Sequence, residues 1–181
     1  DVDSKGNIYF LKFMPRPGNN IFKFDSGGKF IGSFGSTGQG PGELQYPFHL
    51  EINHQDNVVV TDQAKCKLIT FNKDGRLIKE GPLDLGIPFV SCLENGKFLT
   101  FGQRLDSLRS EYTQLSLRLV NSKFEEIKEL DRFNLMNPVA TKRSKGSPWL
   151  FCWSKTKRAV FVGNEERGYE ILKYDLDGNL I

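Results

Sequence analysis

The stretch Asn53–Ile78, NHQDNVVVTDQAKCKLITFNKDGRLI, holds two strands and two turns and opens a third strand. Val58-Val59-Val60 is a β-branched run without polar alternation, the pattern of an inner strand covered on both faces. In Lys67-Leu68-Ile69-Thr70-Phe71 the side chains of Leu68 and Thr70 face opposite to those of Ile69 and Phe71. The polar segments HQDN and KDGR mark the turns. Gly75, after Asp74, supplies the positive φ that a two-residue hairpin needs to match strand twist.

Working outward, two elements recur. The first appears as FDSGGKFIGSFG (Phe24–Gly35), FNKDGRLIKEGP (Phe71–Pro82), VNSKFEEIKEL (Val120–Leu130) and YDLDGNLI (Tyr174–Ile181), starting 47, 49 and 54 residues apart. The second lies between these copies as DSKGNIYFLKF (Asp3–Phe13), NHQDNVVVTDQ (Asn53–Gln63), LENGKFLTFGQ (Leu93–Gln103) and SKTKRAVFVGN (Ser154–Asn164). Four antiparallel strands in about 45 residues is the arithmetic of a β-propeller blade. Sheets this small cannot bury their apolar faces alone, so blades must stack around an axis. The expected fold is therefore all-β: a propeller of four-stranded antiparallel blades, with about four blades present. They fall near 1–34, 35–82, 83–131 and 132–181, in a single propeller domain or segment.

One stretch resists. Gln103–Asn137 contains no Gly or Pro, and Leu105, Leu108, Tyr112, Leu115 and Leu119 fall at helical spacing. Leu115, Leu117 and Leu119 also alternate with Ser116 and Arg118, where the repeat demands a third strand. A strand is expected over Tyr112–Asn121, with a short helical turn over Leu105–Glu111 in the loop before it.

Composition agrees and narrows the function classes. Among 181 residues, 26% are charged and 38% hydrophobic, as in a globular protein. The longest apolar run is Trp149–Trp153 (WLFCW), too short to span a bilayer. A net charge of +3 does not by itself imply nucleic acid or an anionic membrane. Gly 18 and Pro 8 argue against long helices, and Phe 15 favours strands. Cys66, Cys92 and Cys152 stand apart without CxxC spacing and are expected as isolated buried thiols.

The segment Gly35–Ile78 resembles an NHL repeat, the unit of six-bladed propellers. Gly38, Gly40, Gly42, Glu43 and Pro47 match its glycine-rich opening. Asp56, Asn57, Val60 and Asp62 match the strand that follows, and Lys67, Leu68 and Phe71 the next. The usual Gly is missing, since Asp56 directly precedes Asn57, and the usual Asn and Arg are replaced by Lys65 and Lys67. The likeness is sharp in this blade, good in the first and weak in the last two. It implies membership of the NHL-repeat superfamily of bacterial six-bladed propellers. A six-bladed ring needs roughly 270 residues at about 45 per blade. The chain is thus expected to be a segment of a longer protein, with a complete four-bladed ring as the alternative. Such propellers are often exported, which favours the periplasm or cell surface.

Candidate chemistry is sparse. His49 lies in the strand Phe48–Ile52 and His54 begins a turn, and both read as structural. No HExxH, CxxC, GxSxG or P-loop is present, so no catalytic residue, metal site or cofactor is assigned. The loop GSTGQGPGEL (Gly35–Leu44) invites comparison with a phosphate cradle but lacks a following helix N-terminus, and reads as an inter-blade linker. Asp62 is expected to accept loop N–H groups. Between Thr141 and Val160, Lys142, Arg143, Lys145, Lys155, Lys157 and Arg158 occur without an acid, with Trp149, Phe151 and Trp153 among them. That pattern suits single-stranded nucleic acid, yet the aromatics alternate as a buried strand would.

The leading expectation is a non-enzymatic platform that binds a protein or small-molecule ligand at the propeller mouth. The longer loops, Lys12–Asn19, Gln103–Glu111 and Asp131–Pro148, would face it. Candidate binding residues are Arg104, Lys142, Arg143 and Lys145. The alternatives are a metal-dependent propeller lyase or lactone hydrolase, and an RNA-binding module. Nucleic acid is the least favoured partner, and nothing in the sequence decides the oligomeric state.

Overall fold

A computed structural model of the chain describes residues 1–12, 17–83, 89–103, 112–136, 151–164, 167–168 and 170–181. All regular structure among them is β, apart from a short 3₁₀ turn at Arg167. The first sheet joins β1 (Ile8–Leu11), β2 (Asn19–Phe24) and β3 (Phe30–Ser36). The second joins β4 (Pro47–Ile52), β5 (Val58–Asp62), β6 (Lys67–Phe71) and β7 (Leu77–Pro82). The third joins β8 (Phe89–Cys92), β9 (Phe98–Gln103), β10 (Tyr112–Val120) and β11 (Glu126–Met136). The fourth joins β12 (Phe151–Lys155), β13 (Ala159–Asn164) and β14 (Ile171–Asp175). In every sheet, strands neighbouring in sequence are neighbours in space, and β1–β2–β3, β4–β5–β6–β7, β9–β10–β11 and β12–β13–β14 run antiparallel. The segment with helical spacing forms β10, because Leu117 and Leu119 bury one face while Arg118 pairs across the ladder with Thr100. The expected helical turn over Leu105–Glu111 lies outside the described residues.

The chain divides into two compact units, Asp1–Cys92 and Leu93–Ile181. In the first, Tyr9, Ile21 and Leu44 pack against Val58, Val60, Ile69 and Phe71 of the second sheet. All five residues of β5 are buried, as the Val58–Val60 run anticipates. In the second unit, Leu99, Leu117, Leu119 and Leu130 pack against Val160, Val162 and Tyr174. Each core is thus a pair of sheets face to face. Burying side chains of this size contributes about 1.5–3 kcal/mol each, which no single small sheet could collect.

The turns correct one expectation. At Asn72–Arg76 the Asn72 amide donates to the Arg76 carbonyl (2.9 Å) and the Gly75 amide to the Asn72 carbonyl (3.0 Å). The loop therefore has three residues, and only its last takes positive φ (Gly75, +81°). This is a type I turn closed by a left-handed bulge residue, not the two-residue turn with two left-handed positions. The same bond pair recurs at Asp3–Asn7, Asp25–Lys29, Asn53–Asn57, Leu93–Lys97, Asn121–Glu125 and Asp175–Asn179. In most copies an Asp or Asn opens the turn and its side-chain oxygen accepts two amides, as Asn72 Oδ1 does from Asp74 (3.0 Å) and Arg76 (2.9 Å). Two copies lack the glycine. Asp56 sits at φ +58° and its carboxylate accepts the Ser4 amide (2.9 Å) and hydroxyl, which tie down the turn before β1. Phe124 sits at φ +66°, a costly place for a bulky residue, and stacks on Phe98 with ring centroids 5.0 Å apart.

Two of the three cysteines also differ from expectation. Cys92 is buried, Cys66 intermediate and Cys152 exposed, because Cys152 points away from the core that Trp153 joins.

Candidate functional site

Antiparallel neighbours send successive connections to alternate ends of a sheet. At one end lie the three-residue turns just described and the two-residue Lys157–Arg158 turn, where the Thr156 amide donates to the Ala159 carbonyl (2.8 Å). At the other end lie the connections β1–β2, β5–β6, β9–β10 and β13–β14, and those that lead from one sheet to the next. Within each unit the longer connections join strands at this second end of the sheets, which makes that end of each unit a candidate site.

In the first unit this end is built around the loop Ser36–Tyr46. The buried Asp62 closes β5, and its carboxylate accepts amides of Gln45 (2.6 Å), Tyr46 (3.1 Å) and Lys65 (3.0 Å), as its place in the sequence predicts. The loop's glycines serve a tight fold. A Cβ at Gly38 would lie 2.0 Å from Oε2 of Glu43. That same oxygen accepts the Gly40 amide (2.8 Å), and Glu80 accepts the Gly42 amide (2.7 Å). Two carboxylates of the chain thus occupy the positions an anion would take, and the loop is a linker rather than a phosphate cradle. Lys65, with its side chain 6% exposed, donates to the carbonyls of Gly40 and Glu43 (both 2.9 Å) and lies 3.5 Å from Glu80. Lys67 reaches the other Glu80 oxygen at 2.6 Å. Burial would raise the Glu80 carboxyl, but the bonds from Lys67 and the Gly42 amide and the Lys65 charge outweigh it and hold it below its ordinary value. These lysines act as struts.

His49 packs against its neighbours in the first unit. Its Nε2 lies 3.9 Å from Glu51, and its ring meets Phe89 edge-on at 5.5 Å. Glu51 accepts the Cys92 amide (2.9 Å), so the carboxylate is held by backbone.

In the second unit the corresponding end carries an ionic cluster. Arg167 grips Asp131 with two bonds of 2.7 Å, and Asn164 donates to the Arg132 carbonyl (3.3 Å). The bond to Asp131 holds the Arg167 guanidinium above its ordinary value. The Tyr174 hydroxyl donates to the Leu130 carbonyl (2.8 Å), and burial pushes this phenol up. The Asp131–Arg167 pair escapes sequence reading because its members are far apart and Asp131 lies inside β11. Asp131–Met136, expected as loop, is strand.

The candidate binding residues Arg104, Lys142, Arg143 and Lys145 lie outside the described residues, as does Trp149. The basic segment is nevertheless divided: β12 carries Lys155 away from residue 151, so Lys155, Lys157 and Arg158 sit at the tight-turn end. Trp153 packs against Phe101, ring centroids 4.9 Å apart, and joins the core rather than offering a stacking surface. Among the described residues no group of three His, Cys, Asp or Glu side chains is placed to hold a metal ion. No helix among them is long and apolar enough to cross a membrane.

Small antiparallel sheets, each wound in sequence order and packed face to face, define a β-propeller. The chain belongs to the family described as 6-bladed beta-propeller, whose sequence profile matches residues 4–153. Among solved structures, a protein from Bacteroides fragilis NCTC 9343 described as exported is similar, with 18% identity and a TM-score of 0.61. The alignment covers 100% of this chain and 52% of that one, so this chain spans about half its length. A streptogramin B lyase structure is similar at 13% identity and a TM-score of 0.51, over 100% of this chain and 66% of that one. At such identities the fold alone is shared. No functionally curated protein matches the sequence.

Proposed function

We propose that this six-bladed propeller chain is a non-enzymatic, NHL-like binding platform whose longer connections engage a protein or small-molecule ligand. The observation that carries the reading is the division, within each unit, between the two ends of the sheets: near-identical tight turns at one, the longer connections at the other. A rigid ladder that varies only at one end is suited to presenting contact residues. The carboxylates and lysines described at that end, Asp62, Glu80, Lys65 and Asp131, are bonded to the protein itself and act as scaffold. Contact chemistry is assigned to the connections, where Arg104, Lys142, Arg143 and Lys145 supply positive charge suited to an acidic partner.

The test is binding of a fluorescent poly-glutamate peptide to the protein and to two charge-reversed variants. One carries Arg104, Lys142, Arg143 and Lys145 changed to Glu, the other Lys157 and Arg158. Loss of binding in the first variant alone is expected. No binding by the unaltered protein, or equal loss in both variants, overturns the charge assignment. Stoichiometric divalent metal in the purified full-length protein would instead favour the lyase or hydrolase alternative.

A further inference from the structure

Three of the outermost strands carry the same irregularity. In β3 the pairs Lys23–Gly32 and Phe24–Phe30 leave Ile31 as the extra residue of a β-bulge. Ile78 is the extra residue of β7, between Leu77 and Lys79, and Ile127 that of β11, between Glu126 and Lys128. Ile31, Ile78 and Ile127 are 52%, 51% and 45% exposed. A bulge on an edge strand has an ordinary use, since it blocks pairing with another chain. That use does not call for isoleucine, and charged side chains serve it as well. An apolar side chain set out at the same place in three sheets calls for an explanation.

The charge around it differs between the units. In the first, Phe30 precedes Ile31 and Leu77 precedes Ile78, and they are 53% and 39% exposed. Lys29, Lys73, Arg76 and Lys79 stand exposed in and beside the same two turns, and Asp74 is the one exposed acid within 25–32 and 72–80. Glu80 is held by Lys65 and Lys67, and Asp25 accepts the Gly27 and Lys29 amides. In the second unit exposed Glu125 and Glu126 precede Ile127 instead. Only the first unit joins these apolar pairs to a cluster of cations, at the tight-turn end of its sheets.

We infer that this rim of the first unit docks on an anionic lipid bilayer. Phe30, Ile31, Leu77 and Ile78 enter the headgroup boundary, and Lys29, Lys73, Arg76 and Lys79 meet the lipid phosphates. Charge complementarity selects this occupant: cations beside apolar side chains suit a surface that is anionic outside and apolar beneath. The four apolar side chains together expose well under the roughly 800 Å² that each partner buries in a stable protein complex. A bilayer needs no matching shape, because each inserted side chain contributes by itself. Docked in this way, the first unit turns its longer connections away from the lipid. The surface is therefore separate from the one proposed for ligand.

The experiment is cosedimentation of the full-length protein with vesicles of phosphatidylcholine and phosphatidylglycerol in equal parts, and with vesicles of phosphatidylcholine alone. Binding to the first, little to the second, and release as salt rises are expected. Lys29→Glu/Arg76→Glu/Lys79→Glu should weaken binding by about a hundredfold or more, since each cation lost near an anionic surface is worth about fivefold. Ile31→Ser/Ile78→Ser should weaken it severalfold, and Ile127→Ser should leave it unchanged. All the replaced side chains are exposed, so each variant should keep the parent's melting temperature. Absence of binding to the anionic vesicles overturns the inference, as does equal binding to the neutral ones. So does binding that either first-unit variant leaves intact. The variant reversed at Arg104, Lys142, Arg143 and Lys145 should still bind, whatever becomes of the ligand reading; loss there would move the lipid to the longer connections and overturn the assignment. Self-association of the lipid-free protein, abolished by Ile31→Ser/Ile78→Ser, would give the surface to a second copy and overturn it too.

Discussion

Gly28 and Gly75 occupy the same place in the same turn, on consecutive sheets of one unit, with φ of +83° and +81°. An alanine at either position must adopt the left-handed backbone, at about 1–2 kcal/mol. Their surroundings differ. A Cβ at Gly28 meets nothing within 4 Å, whereas one at Gly75 lies 2.5 Å from Cγ, 2.7 Å from Cβ and 2.8 Å from Cδ1 of Phe34. Those atoms are the root of the ring, and the ring is fixed edge-on against Phe71 at 5.4 Å. Relief requires the two sheets to shift, and overpacking of this kind costs about 1–3 kcal/mol. Gly28→Ala should thus cost about 1–2 kcal/mol and Gly75→Ala about 2–5 kcal/mol. Urea unfolding followed by circular dichroism measures both, provided the m-values agree. In the double variant Phe34→Ala/Gly75→Ala the excess cost should fall, since the clashing ring is gone. Equal costs for the two glycine variants, within about 0.5 kcal/mol, would refute face-to-face packing at Phe34.

Other consequences are open to measurement. The Glu80 carboxyl lies below its ordinary value of 4.5, so its ionised form stabilises the fold above that pH, and this contribution is lost as pH falls through the folded value. Glu80→Gln should flatten the acid limb of the stability–pH curve; an unchanged limb would contradict the strut role. Burial pushes the Tyr9 phenol up, and Asp3 adds to the effect through charge and a hydrogen bond of 3.2 Å. Stability should therefore decline as pH rises past the ordinary tyrosine value of 10.0, less steeply in Tyr9→Phe. With a thiol reagent under native conditions, Cys152 should react first, Cys66 more slowly and Cys92 only after unfolding. Fast reaction at Cys92 would place the face of β8 wrongly.

Much of the fold was legible because its signals are local. The Asp or Asn that opens a turn and the glycine a few residues later both sit within one short segment. Leu115, Leu117 and Leu119 announced a strand by alternation, despite a competing helical spacing. Asp62 could be assigned its role because a carboxylate at a strand end faces nearby loop amides. Turn type was less legible: Asp-Gly suits more than one hairpin, and the register of the flanking strands decides between them. Asp56 and Phe124 show the same limit, since left-handed φ at a non-glycine residue is set by the surrounding ladder. Long-range partners left no trace in the sequence. Nothing near Gly42 points to Glu80, and nothing near Asp131 points to Arg167, because tertiary folding alone brings them together. The exposure of Cys152 follows from strand phase, which a short aromatic run does not reveal.

The account depends on sheets meeting face to face through the residues named. Methyl–methyl nuclear Overhauser effects test this most directly. Cross-peaks should connect Ile21 of the first sheet with Val58, Val60 or Ile69 of the second, and Leu117 or Leu119 with Val160 or Val162. An Ile21 methyl that contacts only its own sheet, in a folded sample, would contradict the stacking of blades and the platform built upon it.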